Sequence, residues 1–265
     1  MQTTITMGTL SIAMLAGTAV AGFDSYVIRN GGSGNAPGIL PNNAYVPGGT
    51  EFVIDEGGMK AGLGSNDING LTLGASSVSI TRHDDSTRFN AGSGPATAPY
   101  FNIWVTDGMG NYAVLANEPS NPSFAAFRTD NGNGSFTYDF ALSDIAAEPV
   151  QVYETVNGGY NSTNTWVHNL LGINAPLTFG DVLGLTIEAP SASYIANPAN
   201  AVGSGAPDVL GTNAAYGFNW IFGDTLANYI SGEEGYVVSG FSATPAPGAA
   251  ALLGIGGLAL ARRRR

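Results

Sequence analysis

Between Asp24 and Phe241 the apolar residues come in short runs, many alternating with polar ones, and Gly, Asn, Pro or Ser closes each run. An amphipathic helix needs apolar residues at i, i+3, i+4 and i+7 over several turns, and that spacing is nearly absent here. Short alternating runs between turn formers are instead the pattern of antiparallel strands. The predicted strands are 25–30, 51–55, 77–82, 100–106, 112–116, 125–128, 135–142, 150–156, 165–169, 182–189, 215–222 and 236–241.

Period-two spacing assigns faces within these strands. Phe136, Tyr138 and Phe140 share one side, Leu183, Leu185 and Ile187 another, and Tyr216, Phe218, Trp220 and Phe222 a third. The unbroken run Phe52-Val53-Ile54 fits a strand covered on both sides. Asp107-Gly108-Met109-Gly110-Asn111 and Asp130-Asn131-Gly132-Asn133-Gly134 read as tight connections, their glycines free to take positive φ. With no helix-length crossover and no fixed-period repeat, the expectation is an all-β chain folded as one two-sheet sandwich of jelly-roll type.

Both ends lie outside that expectation. Leu10 to Ala21 is largely apolar and ends Ala19-Val20-Ala21 ahead of Gly22, the small-x-small pattern of a cleaved signal peptide, although no Lys or Arg precedes it. At the other end the chain reads Pro245-Ala246-Pro247-Gly248, continues uncharged to Ala261, and finishes with Arg262, Arg263, Arg264 and Arg265. As a helix at ~1.5 Å per residue the uncharged run spans about 21 Å, short of the ~30 Å core of a bilayer. The basic cluster after it places the terminus on the cytoplasmic side and the rest of the chain across the membrane. The expected division is 1–21 signal peptide, 22–242 sandwich and 243–265 tail.

The tail resembles a PEP-CTERM sorting signal, in which a Pro-Glu-Pro motif, a hydrophobic helix and a basic cluster follow one another. Here Ala246 stands where that family has glutamate. The resemblance implies that Pro245, Pro247, Gly248 and the four arginines are read by an exosortase, a membrane-embedded transpeptidase-like protease that removes the tail. It implies a bacterial protein inserted transiently in the membrane, then delivered to the cell surface or extracellular matrix, often beside exopolysaccharide. An ordinary membrane anchor with a stop-transfer cluster is the alternative.

All 20 acidic residues lie between Asp24 and Glu234, and the mature domain keeps only Arg29, Lys60, Arg82, Arg88 and Arg128 against them. No basic groove can be built from five scattered cations, so nucleic acid and anionic lipid are excluded as partners. There is no cysteine, hence no disulfide, thiolate metal site or cysteine nucleophile. A domain of about 220 residues buries enough surface to stand without disulfides. The loop 190–207 is too near the tail to separate a second domain.

No Gly-x-Ser-x-Gly is present, and His83 and His168 are too far apart in the chain for a His-x-x-x-His metal pair. No cofactor is expected. Ca²⁺ is the one ion the sequence leaves open, at His83-Asp84-Asp85 or, less well spaced, at Asp130 to Gly134; solvated turns explain both stretches as well. The surface that invites a ligand is the polar side of strand 100–106. Tyr100, Asn102, Trp104 and Thr106 would stack and hydrogen-bond a sugar there, with Gln151, Tyr153 and Thr155 forming a similar side on another strand. A covering loop over Trp104 is the ordinary alternative.

Three readings follow: a non-enzymatic exported surface or matrix protein, a carbohydrate-binding module held in exopolysaccharide, and a secreted polysaccharide hydrolase. The last rests only on compartment and on carboxylates too numerous to nominate a pair.

Overall fold

A computed structural model describes residues 22–42, 46–83, 100–117, 126–154, 163–195, 216–223, 231 and 234–247. They form two antiparallel sheets. The eight-stranded front sheet runs β1 (Phe23–Arg29), β4 (Lys60–Ser65), β13 (Phe218–Gly223), β6 (Tyr100–Thr106), β7 (Tyr112–Asn117), β10 (Pro149–Tyr153) and β11 (Leu177–Thr178), with β12 (Thr186–Ile187) paired to β6. The six-stranded back sheet runs β2 (Gly38–Asn42), β3 (Gly49–Val53), β14 (Tyr236–Pro245), β5 (Ser76–Arg82), β9 (Phe136–Ala141) and β8 (Arg128–Asp130). The expected all-β, two-sheet sandwich is what the chain adopts.

The chain changes sheet from β1 to β2, β3 to β4, β4 to β5, β5 to β6, β7 to β8, β9 to β10 and β13 to β14. Most strand neighbours are therefore distant in sequence, β2–β3, β6–β7, β8–β9 and β10–β11 excepted, and the inner faces of both sheets meet in one core. Phe52 of the back sheet stacks on Phe222 of the front sheet, centroids 4.0 Å apart and planes 9° from parallel. Phe101 lies among Phe140, Phe179, Phe218 and Trp220 at centroid distances of 5.7 to 6.1 Å. Aromatic pairs in these geometries add about 0.5–1.5 kcal/mol beyond the area they bury, and here they tie the two layers together.

Several predicted elements change. Val53 stays half-buried against Gly38 of β2, so the Phe52 to Ile54 run alternates after all. The predicted strand 165–169 is helix α1 (Trp166–Leu171): Thr165 caps it by accepting from the His168 N–H, and Gly172 closes it at φ 68°. Those two end signals outweigh the β-leaning composition between them. The predicted strand 182–189 starts inside α2 (Phe179–Val182), fixed by reciprocal Thr178 and Asp181 bonds, and only Thr186–Ile187 pairs. Leu185 and Ile187 are nonetheless buried in the core. At the C-terminal end β14 continues to Pro245, beyond the boundary expected at 242.

Sequence pattern passes over β2, β11 and β4, of which β4, Lys-Ala-Gly-Leu-Gly-Ser, is buried along its whole length. Ala61 and Leu63 point into the core, leaving Gly62 and Gly64 outward. The glycines make room for rings. A Cβ on Gly62 would lie 2.6 Å from the Tyr26 ring, and one on Gly64 would lie 2.5 Å from Cγ and 2.6 Å from Cβ of Tyr216. Because Cβ and Cγ cannot swing aside as a side-chain tip can, Gly64→Ala is expected to cost roughly 1–3 kcal/mol in denaturant titration. In a Tyr216→Ala background the same change should be nearly neutral; additive costs would show that the glycine accommodates something else.

Candidate functional site

The outward side of the front sheet carries the residues with ligand-binding chemistry, and strand register sets them in rows. Tyr26, Gly62, Ile221 and Tyr100 form one row, and Asp24, Gly64, Asn219, Asn102, Ala116 and Gln151 the next. Trp104, Val114 and Tyr153 form a third. The two polar strand sides noted in the sequence thus share a face, with β7 between them. Thr155 lies outside the described residues.

That face is not the open platform expected of Tyr100, Asn102 and Trp104. Trp104 is 2% exposed and packs with Val114, Ala116, Tyr153 and Ile195 in a second apolar cluster. The chain after β12 returns over it, the Glu188 N–H donating to the Trp104 carbonyl at 3.0 Å, and α3 (Ala192–Ile195) supplies Ile195. Tyr100 is buried too, with the Lys60 ammonium 5.5 Å from its ring centre. Burial of the large apolar rings is what removes them from solvent. Thr106 is also buried, its Oγ1 donating to the Asn111 carbonyl at 2.9 Å.

Asn102 differs from its neighbours. It is 2% exposed, yet neither its Oδ1 nor its Nδ2 has a hydrogen-bond partner among the described residues. Across the ladder Asn219, also buried, is fully engaged. Its Nδ2 donates to the carbonyls of Tyr216 at 2.8 Å and Asn102 at 3.3 Å, and its Oδ1 accepts from the Tyr26 hydroxyl.

The half-exposed aromatic surface sits beyond Asn219. Tyr26 and Tyr216 are 5.2 Å apart with planes tilted by 37°, each ring against one of the β4 glycines. Sequence alternation grouped Tyr216 with inward Phe218, Trp220 and Phe222; the structure puts it outside. Gly217 turns the chain there, its N–H donating to Asn66 Oδ1 at 2.9 Å and its carbonyl accepting from the Trp104 N–H at 2.8 Å. The Tyr216 hydroxyl donates to Asp24 Oδ2 at 2.9 Å.

The remaining polar candidates are occupied by local structure. His83 Nε2 lies 2.7 Å from Ser239 Oγ, and Asp84 and Asp85 fall outside the described residues. In the Asp130 loop the carboxylate accepts from the Gly132 N–H and Asn133 Oδ1 accepts from the Ser135 N–H, bonds that shape turns. His168 is buried with Nδ1 2.7 Å from Thr165 Oγ1, and burial holds its imidazole below the usual range. No cluster of three His, Cys, Asp or Glu able to hold a metal occurs among the described residues. A shallow cleft of about 300 Å³ opens between Asp107, Met109, Leu170 and Glu188. Burial raises the Asp107 carboxyl there, but the Asn111 side chain and the Met109 and Asn111 N–H groups bond it and bring it below its ordinary value.

Compared with known protein families, with curated proteins and with solved structures, the chain matches none.

Tyr26 and Tyr216 are set apart electrostatically as well. Burial, and then the neighbouring Tyr216, push the Tyr26 phenol well above its ordinary value. Burial, and then the Asp24 carboxylate, push Tyr216 up to about 12. Each phenol keeps its proton in the folded chain at a pH where the unfolded chain, near 10, has lost it. Their contribution to stability is therefore complete below about pH 10 and is lost as pH climbs through the raised values. Ultraviolet titration of each of Tyr26→Phe and Tyr216→Phe should show one late-ionising tyrosine fewer than the wild type.

Proposed function

We propose that the chain is an exported, non-enzymatic surface or matrix protein of a bacterium, delivered by the signals at its two ends. One observation carries the reading: the folded region meets both signals without a spacer. β1 opens at Phe23, two residues after Ala21, and β14 closes at Pro245, the first residue of Pro-Ala-Pro. Pro245 pairs with Ser76, and the Ala246 N–H donates to the Ala75 carbonyl at 2.7 Å.

The Gly22 N–H donates to Asp67 Oδ2 at 2.8 Å. In a chain cut after Ala21 that nitrogen is an α-ammonium, and the bond becomes charge-assisted. Eight strands lie in the order β3-β14-β5-β9 behind and β4-β13-β6-β7 in front, which supports a jelly-roll reading. Among the described residues no helix is long and apolar enough to cross a membrane, and 248–265 lies outside them. In this reading that tail inserts transiently in the membrane, where an exosortase-type transpeptidase takes it at Pro245, Pro247 and Gly248.

Mass spectrometry of the product from its native host should give Gly22 as first residue and no Arg262 to Arg265. The α-amino pKa should exceed the ordinary 7.7–8.0 and fall in Asp67→Asn. Recovery from cytosol with Met1 and Arg265 both attached overturns the proposal.

A further inference from the structure

We infer that the outward face of the front sheet, from Tyr26 and Tyr216 across Asn219 to Asn102, binds a neutral polysaccharide chain. Export matters to this inference only as the route by which the protein meets such a polymer.

Two independent features converge on that face. The first is the ring pair. Tyr26 and Tyr216 are half-exposed, seated on Gly62 and Gly64, and pinned through their hydroxyls to Asn219 and Asp24. Their free sides therefore offer aromatic surface already fixed in orientation, and little side-chain entropy is lost when a flat, C–H-rich sugar face stacks on it. The glycines are what allow the rings to lie against the sheet.

The second feature is the amide of Asn102, enclosed with neither polar atom bonded among the described residues. Groups in that condition are rare in folded chains and call for a partner. A carboxamide presents an acceptor and a two-hydrogen donor side by side. Vicinal hydroxyls, each both donor and acceptor, satisfy the two together. A phosphate or carboxylate leaves Oδ1 without a donor, and a metal cation leaves Nδ2 without an acceptor. Of anion, cation and neutral polyol, only the polyol meets both atoms of the amide.

Geometry and charge agree with that choice. Asp24, Gly64, Asn219 and Asn102 occupy one row over four adjacent strands, roughly 14 Å at the usual strand spacing, the reach of a short oligosaccharide. Asp24 is exposed at the rim, and a chain with 20 acidic residues repels anionic polymers. Trp104 takes no part, being packed beneath Ile195. Asn102 is 2% exposed in the free chain, so association is slower than on an open platform.

Affinity electrophoresis of the purified full chain in gels cast with β-glucan, galactomannan or alginate tests this. Retardation by at least one neutral polymer and none by alginate is expected. Tyr216→Ala and Asn102→Ala should each weaken retardation ten-fold or more, and Tyr216→Phe, which keeps the ring and loses only its bond to Asp24, should weaken it less than Tyr216→Ala. Asn102→Ala should melt no lower than the wild type, since it removes an unbonded buried group, and this separates lost binding from lost folding. Absence of retardation by both neutral polymers, equal retardation by alginate, or wild-type binding by Asn102→Ala overturns the inference. The assay uses purified protein, so failure of the export proposal leaves its outcome unchanged.

Discussion

Contact between the inner faces of the two sheets sets the position of everything outside them. Phe218, Trp220 and Phe222 of β13 are sunk in the core beside Phe101 of β6 and Phe52 of β3. Because side chains alternate along a strand, burying those three fixes Asn219 and Ile221 outward, and burying Phe101 and Ile103 does the same for Tyr100 and Asn102. A slip of one residue would reverse every assignment and put two amides in the core. The polar rows of the outer face are thus held in register by aromatic packing on the other side.

Polar burial on the outer side shows how closely that register is used. Lys60 is 1% exposed, with its ammonium over the Tyr100 ring, and Asn219 is equally buried with three bonds through its amide. Glu154, also buried, accepts the Trp166 N–H at 2.8 Å, placing a carboxylate at the start of α1. Buried polar groups are tolerated where partners meet them, and an unbonded one costs about 1–3 kcal/mol. Trp220 Nε1 and His168 Nε2 are single buried atoms without a bond among the described residues, and Asn102 stands out against them because both ends of its amide are bare.

Much of the fold was legible in local pattern. Tyr100–Thr106, Tyr112–Asn117 and Ser76–Arg82 lie within a residue of their expected limits, because each alternates or runs apolar between strong turn formers. The hairpin glycines Gly108 and Gly110 take φ of 73° and 93°, the freedom that marked them as a turn. Where expectation failed, a local signal of another kind prevailed. Helix caps at Thr165 and Thr178 outweighed apolar spacing, and the glycines of β4 resembled a loop because their purpose, making space for two rings, lies on other segments. Trp104 faced away from the core as alternation required, yet a returning segment covers it, which no property of its own strand announces.

Composition, alternation and turn chemistry act over a few residues, and they suffice to specify a cysteine-free, acidic β-sandwich between two apolar ends. Which residues stand together is a matter of how the strands pair. Asn219 and Asn102, or Tyr26 and Tyr216, meet through pairings between strands far apart in the chain, and local periodicity carries no information about such partners. A strand records which of its faces is apolar; its neighbours are chosen by how two whole sheets close over one core.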